Sequence, residues 1–408
     1  MTDAAARAEE VARTSYGRLL ALLAAPTGDI PVAEDALADA FERALATWPA
    51  DGIPDNPEGW LITVARNRQR DLYKSAAHRT STELDDTHVV LDDIDLDAIP
   101  DKRLELLFVC AHPAIEAGIR TPLMLQTVLG FESAQNAAAF VVPAPAMAQR
   151  LVRAKQRIRV ARIPFAVPVV ADMPTRLPPV LEAIYGAYAI DWQGVSGATV
   201  RDSMSAEALY LAVTLATLLG DEPEAFGLVA LIALSLSRAA ARADGTPLDE
   251  QDTRLWDAAL IEQGEAALRR AHSFERIGRF QLEAAIQSVH CARRDGGPTD
   301  YAALKKLYAA LIRIAPTLGA RVSYAATVGE VDGAEVGLAE LDRVDHAHAG
   351  ASRFQPLWAT RAHLLAELGR AEDARLAYAK AISLTTDPVT RGRLERKALS
   401  LGLAHPAQ

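Results

Sequence analysis

Apolar residues recur three and four positions apart along most of this chain, the spacing of helices with one buried face. In AEDALADAFERAL, Ala33 to Leu45, residues Ala36, Leu37, Ala40, Phe41 and Leu45 share one side, and Asp29 to Pro31 reads as the helix start. WPADGIPDNPEG, Trp48 to Gly59, crowds Pro, Gly, Asp and Asn and predicts a turn, with the next helix beginning near Pro57 to Trp60. Residues 1–80 therefore read as three or more helices. From 81 to 100 the period is lost and acidic residues accumulate, which predicts a linker. A second compact unit is expected over 101–165. Pro164, Pro168, Pro174, Pro178 and Pro179 then predict a hinge into a helical remainder, 166–408.

Within that remainder, LWATRAHLLAELGRAEDARLAYAKAISLTTDP sets Trp358, Ala362, Leu365, Gly369, Ala374, Tyr378 and Ala381 at the spacing of a tetratricopeptide helix pair, closed by Pro388. A weaker relative, Ser323 to Leu341, precedes it. The pattern predicts a short solenoid, a form whose surfaces bind other proteins or pack on a neighbouring domain.

Composition agrees with helix throughout. Half of the 408 residues are apolar and only 6% are aromatic, so the β-branched and aromatic residues that favour strands are thinly spread. The length allows two to four domains. Two distant cysteines, Cys110 and Cys291, support neither a disulfide framework nor a paired-cysteine zinc site. The N-terminus lacks a secretory pattern, and no stretch approaches the roughly 18 apolar residues of a membrane span, so a cytoplasmic location is expected.

A net charge of −10 conceals a local pattern. Arg66, Arg68, Arg70, Lys74 and Arg79 face a single acid, Asp71. Arg150, Arg153, Lys155, Arg157, Arg159 and Arg162 face none. Between them run Glu83, Asp85, Asp86, Asp92, Asp93, Asp95, Asp97 and Asp101, so two basic helices flank an acidic linker.

Catalytic patterns do not occur: there is no phosphate-binding Gly loop ending in Lys-Ser/Thr, no HExxH, no Gly-x-Ser-x-Gly and no Cys-x-x-Cys. Neither an enzyme nor a cofactor is expected. Cys110 with His112, and His290 with Cys291, read as buried helix ends in preference to metal ligands. Glu182, Tyr185, Asp191 and Trp192 read as core packing and a turn.

WLITVARNRQRDLYKSAAHR, Trp60 to Arg79, carries Trp60, Leu61, Ala65, Arg66, Asn67, Asp71 and Lys74, and so resembles the promoter-melting helix of extracytoplasmic-function (ECF) sigma factors of bacterial RNA polymerase. The resemblance implies that Trp60 and Leu61 anchor the helix while Arg66, Asn67, Arg70 and Lys74 meet phosphates and unstacked bases. The preceding helix is similar to the family's polymerase-docking helix, with Glu34, Asp35, Asp39 and Phe41 implied to bind the clamp helices of the β′ subunit. AAAFVVPAPAMAQRLVRAKQRIR, Ala137 to Arg159, resembles the helix-turn-helix of sigma region four. There Gln149, Arg150, Arg153 and Lys155 are implied to face the upstream promoter element, and the polymerase β flap is a second implied partner. Segments 163–168, 221–234, 248–264 and 280–291 are similar to the long C-terminal extension of one ECF subgroup, which implies control by an attached tetratricopeptide-like domain. The expectation is an all-α protein: two small sigma domains, the second with the helix-turn-helix, then a helical solenoid that a protein partner could engage.

Asn136 stands where the first helix of the motif wants an apolar residue, and Ala144, Pro145 and Ala146 fill turn positions that are usually polar. These departures predict weakened base readout and leave open an alternative, a protein-binding adaptor that no longer initiates transcription.

Overall fold

The computed structural model describes residues 3–80, 99–192, 198–242, 246–348 and 350–403, and every regular element among them is an α-helix or a short 3-10 turn. The all-α expectation holds. The acidic linker falls almost wholly outside the described residues.

The chain forms two compact units, Met1–Leu218 and Leu219–Gln408. The first opens with α1 (Asp3–Ala24), α2 (Ile30–Asp51) and α3 (Pro57–Thr80), packed on one another. The Asp29 carboxylate accepts a hydrogen bond from the Val32 amide at 3.3 Å, and Pro31 sits in the first turn, where a missing N–H costs nothing. The helix runs through Pro49 to Asp51, so the expected turn contracts to 52–56, opened by Gly52 at φ +89°. Next come α4 (Ile99–Cys110), α5 (Ala117–Thr127), α6 (Ser133–Ala139) and α7 (Ala144–Val160). Leu19, Leu20, Leu23, Leu37, Leu61, Leu104, Phe108 and Leu123 are fully buried and supply much of this unit's apolar interior. α1 crosses the end of α5 so closely that a Cβ on Gly17 would lie 1.8 Å from the Val128 carbonyl oxygen.

The unit also holds α8 (Met173–Trp192) and α9 (Ala198–Leu219). Of the prolines read as a hinge, Pro164 and Pro168 fall between α7 and α8, whereas Pro174 lies in the first turn of α8 and Pro178 and Pro179 inside it. That helix packs on α4 and α5 through a face that includes buried Leu177, Val180, Leu181 and Ile184. Burial of this face outweighs the backbone hydrogen bonds that prolines remove. Arg103 of α4, 6% exposed, pairs with Glu207 of α9 and lies 5.3 Å from the Tyr210 ring centroid. By packing, α8 and α9 thus belong with the first unit, whereas the sequence expectation began the C-terminal domain at 166.

In the second unit α10 (Pro223–Leu236) is buried on nearly every side by α11 (Ala258–His272) and α12 (Arg279–Cys291). The Glu224 carboxylate accepts from the Phe280 and Gln281 amides at 2.9 and 3.2 Å, satisfying the exposed N-terminus of α12. Then α13 (Tyr301–Ile314), α14 (Leu318–Asp332), α15 (Ala334–Ala347), α16 (Gln355–Glu367), α17 (Ala371–Leu384) and α18 (Pro388–Leu403) each pack on the next, a solenoid-like run. Ala362, Leu365, Ala374, Tyr378 and Ala381 meet in one cluster with Trp358 packed against it, and Gly369 turns the chain at φ +71°. Between α14 and α15, Gly329 and Gly337 let the backbones touch: a Cβ on Gly337 would lie 2.7 Å from the Gly329 Cα.

Candidate nucleic-acid interface

α3 is held by its apolar face. Leu61 and Ala65 are fully buried, and Trp60 meets Trp48 of α2 edge to face, with centroids 5.5 Å apart and planes at 65°. Gln69 donates to the Leu23 carbonyl at 3.3 Å, and Glu58 pairs with Arg18 of α1. Asn67, Arg70 and Lys74 are left exposed, with Arg70 donating to the Asn67 side-chain oxygen at 3.3 Å. Arg66 is half-buried, and its Nη2 has no hydrogen-bond partner among the described residues. Burial, then the neighbouring Arg70, lowers its pKa. That Nη2 is itself buried, so the side chains of α3 open to a phosphate or base edge are the exposed Asn67, Arg70 and Lys74.

On α2 the four candidate docking residues are placed differently. Asp35 is exposed and Phe41 half-buried, while Asp39 pairs with Arg68 of α3. Glu34 accepts from Lys155 of α7 at 2.6 Å.

The helix-turn-helix expectation finds its two helices in α6 and α7, joined by residues 140–143. Glu132 and Gln135 form a reciprocal capping box at the start of α6. Asn136 is fully buried and donates to the Pro122 carbonyl at 3.2 Å, tying α6 to α5, while its Oδ1 is unpartnered among the described residues. The polar residue at this apolar position thus serves a fixed contact. Val141, in the turn, has φ +53°.

Gln149 and Arg153 are exposed on α7, and Arg150 pairs with Glu116 at 2.9 Å. Arg150, Arg153 and Arg157 line a shallow hollow of about 230 Å³ with Ile115 and Ile119. Lys155 does not join them. It is 8% exposed and turned inward beside Leu151, Ala154 and Ile158. Two positions separate it from Arg153, about 200° of helical rotation, a spacing that already puts the two on opposite faces.

The cysteine–histidine pairs are engaged locally. Cys110 lies 3.5 Å from the Thr127 hydroxyl, and burial pushes its thiol up to about 12. His112 Nδ1 accepts from the Ala114 amide at 3.0 Å. His290, half-buried beside Arg238 and Arg293, is pushed down to about 4, first by burial and then by those two charges. Sequence reading did not single out Glu330, His363 and Glu367, whose ligand atoms lie within 4.8 Å of one another on α14 and α16. All three are exposed, and His363 sits 3.3 Å from Glu367 one turn along α16, an ordinary helical pair. The His-x3-Glu spacing was the visible signal; Glu330 joins only through packing.

Residues 11–79 match the family Sigma-70 region 2, and residues 176–272 match a family of unknown function, DUF6596, running from α8 to the end of α11. An uncharacterized protein of Rhizobium meliloti (strain 1021) is 35% identical over 372 residues, 88% of this chain and 87% of that protein. The chain belongs to the ECF-like sigma factors with a C-terminal extension. Region 2 implies binding to core RNA polymerase and promoter DNA and a sigma-factor role in transcription initiation. The matched span of this sigma factor covers most of α1 and all of α2, with α3 to Arg79. No solved structure matches the sigma factor. Among the described residues no helix is long and apolar enough to cross a membrane.

Proposed function

We propose that this protein directs core polymerase to specific promoters, using α2 to dock on the β′ clamp, α3 to engage the melted downstream element, and α7 to read the upstream element beside the β flap. Its own chain catalyses no reaction, and it works in the cytoplasm. The observation that carries the reading is α3, a helix within the region 2 match that is fixed by Leu61, Ala65 and the Trp60–Trp48 contact and presents Asn67, Arg70 and Lys74, with Arg66 half-buried beside them. Gln149, Arg150 and Arg153 are the proposed upstream readers. The helices from α10 onward act as a tetratricopeptide-like regulatory domain that a protein partner engages, a role supported by the helix-pair packing around Ala362, Ala374 and Tyr378.

In vitro transcription with purified core polymerase and a pool of genomic promoters tests this directly. The full chain is expected to yield specific transcripts, and a chain ending at Leu218 to yield them at a different level. Stable binding to core with no transcripts from either would refute the initiating role.

A further inference from the structure

The solenoid-like run of the second unit leaves an open groove of about 700 Å³ along α15, α16 and α17, within the roughly 300–1,000 Å³ typical of binding sites. Leu338 and Leu365 form its floor and are buried in the core of the run. Leu368 and Leu376 line it too, yet they are 38% and 71% exposed, so apolar surface is left in water where the groove stands open.

Charge along the groove is uneven. Arg361 is shared between Asp342 and Asp345, at 2.6 and 3.4 Å, so one guanidinium stands against two carboxylates. Arg370 pairs with Asp373 at 2.7 Å and is answered by it. Glu335 lines the same groove, is exposed, and has no ion-pair partner among the described residues. The wall formed by α15 therefore carries acid in excess, at Glu335 and Asp342. These two stand seven positions apart on α15, two turns of helix and about 10 Å along its axis.

Open leucines beside acids two turns apart match an amphipathic helix. Its apolar stripe, at i, i+3 or i+4, and i+7, covers Leu368 and Leu376, while cations two turns apart on its flank meet Glu335 and Asp342. An acidic segment would set like charge against both. Resting on the reading of these helices as a partner-binding regulatory domain, we propose that this groove is the docking site and that its occupant is a basic amphipathic helix of another protein.

Selection of a phage-displayed library of helical peptides on the full chain tests this. The enriched sequences are expected to carry apolar residues at helical spacing flanked by Lys or Arg. With the most enriched sequence made as a labelled synthetic peptide, fluorescence anisotropy should show Leu376→Ser weakening binding about tenfold. Glu335→Lys should weaken it about threefold to tenfold and remove much of its dependence on salt. Both side chains are exposed, so the fold should tolerate either change. Leu399→Ser, at a residue 70% exposed on α18 and outside the groove, should keep wild-type affinity. Enrichment of acidic or uncharged peptides, or binding that Leu376→Ser and Glu335→Lys leave unchanged, would overturn the proposal while keeping the partner-binding reading. No enrichment at all would overturn both.

Discussion

Val141 carries the sharpest local conflict between side chain and backbone. A β-branched residue at φ +53° is strained by roughly 1–2 kcal/mol, and its side chain is 91% exposed, so no burial offsets the cost. Val141→Gly is therefore expected to stabilise the turn between α6 and α7 by about 1 kcal/mol after allowing for glycine's looser unfolded state, read as a higher urea midpoint for the first unit. His290 gives a prediction in pH. Its folded pKa of about 4 lies below the unfolded value of 6.5, so the unfolded chain takes up the proton first. Stability is full above pH 6.5 and falls as pH drops toward 4, by up to about 1.4 kcal/mol per unit in that window. Amide protection factors in α12, corrected for the intrinsic exchange rate at each pH, should fall accordingly, and His290→Gln should flatten the profile. Of the candidate residues, Asn67, Arg70, Lys74, Gln149 and Arg153 were legible as exposed polar positions. The spacing of Lys155 from Arg153 already set it on the other face, but its partner there, an acid 121 positions away, was not legible.

At the scale of elements, α2, α3, α16 and α17 were legible because their apolar period runs unbroken and their caps are explicit in Asp29, Pro57 and Gly369. α8 was not, since its prolines signal a break that only burial against α4 and α5 overrides. The short turns Ala240–Arg242, Leu248–Glu250 and Thr253–Leu255 were equally hidden. They are set by tertiary partners: the Arg293 guanidinium bonds the Leu248 and Asp249 carbonyls, and Arg238 and Arg293 lie 6.0 and 5.7 Å from the ring of buried Trp256. Tight helix pairs carry their own test. Gly337→Ala would drive a methyl into the Gly329 backbone, where no rotamer can relieve it. A loss of about 1–3 kcal/mol in the second unit is expected, with α14 and α15 losing amide protection together, whereas Gly297→Ala, which meets nothing within 4 Å, should leave this pair unchanged.

For the whole molecule, the packing of α8 fixes where the chain can be cut. Leu177, Val180, Leu181 and Ile184 are at most 5% exposed, and burial of such side chains contributes about 2 kcal/mol each. A fragment ending at Phe165 uncovers the surface of α4 and α5 beneath them and is expected to aggregate or melt at a much lower temperature than one ending at Leu218, a difference that calorimetry and gel filtration would show. Comparable melting of the two fragments would mean that α8 is dispensable to the first unit. The expected boundary at 165 and the packing of α8 onto the first unit follow different signals. A run of prolines and a change of periodicity mark where the sequence changes character, while a unit's edge is set by which face needs covering.

The edge-to-face contact of Trp48 and Trp60 has an optical consequence. Two indoles 5.5 Å apart with planes inclined at 65° sit in a fixed chiral relation, so their excited states couple and should give a paired positive and negative band in circular dichroism. That couplet belongs to the seam between α2 and α3. It would let an experimenter watch this seam in dilute solution without any label.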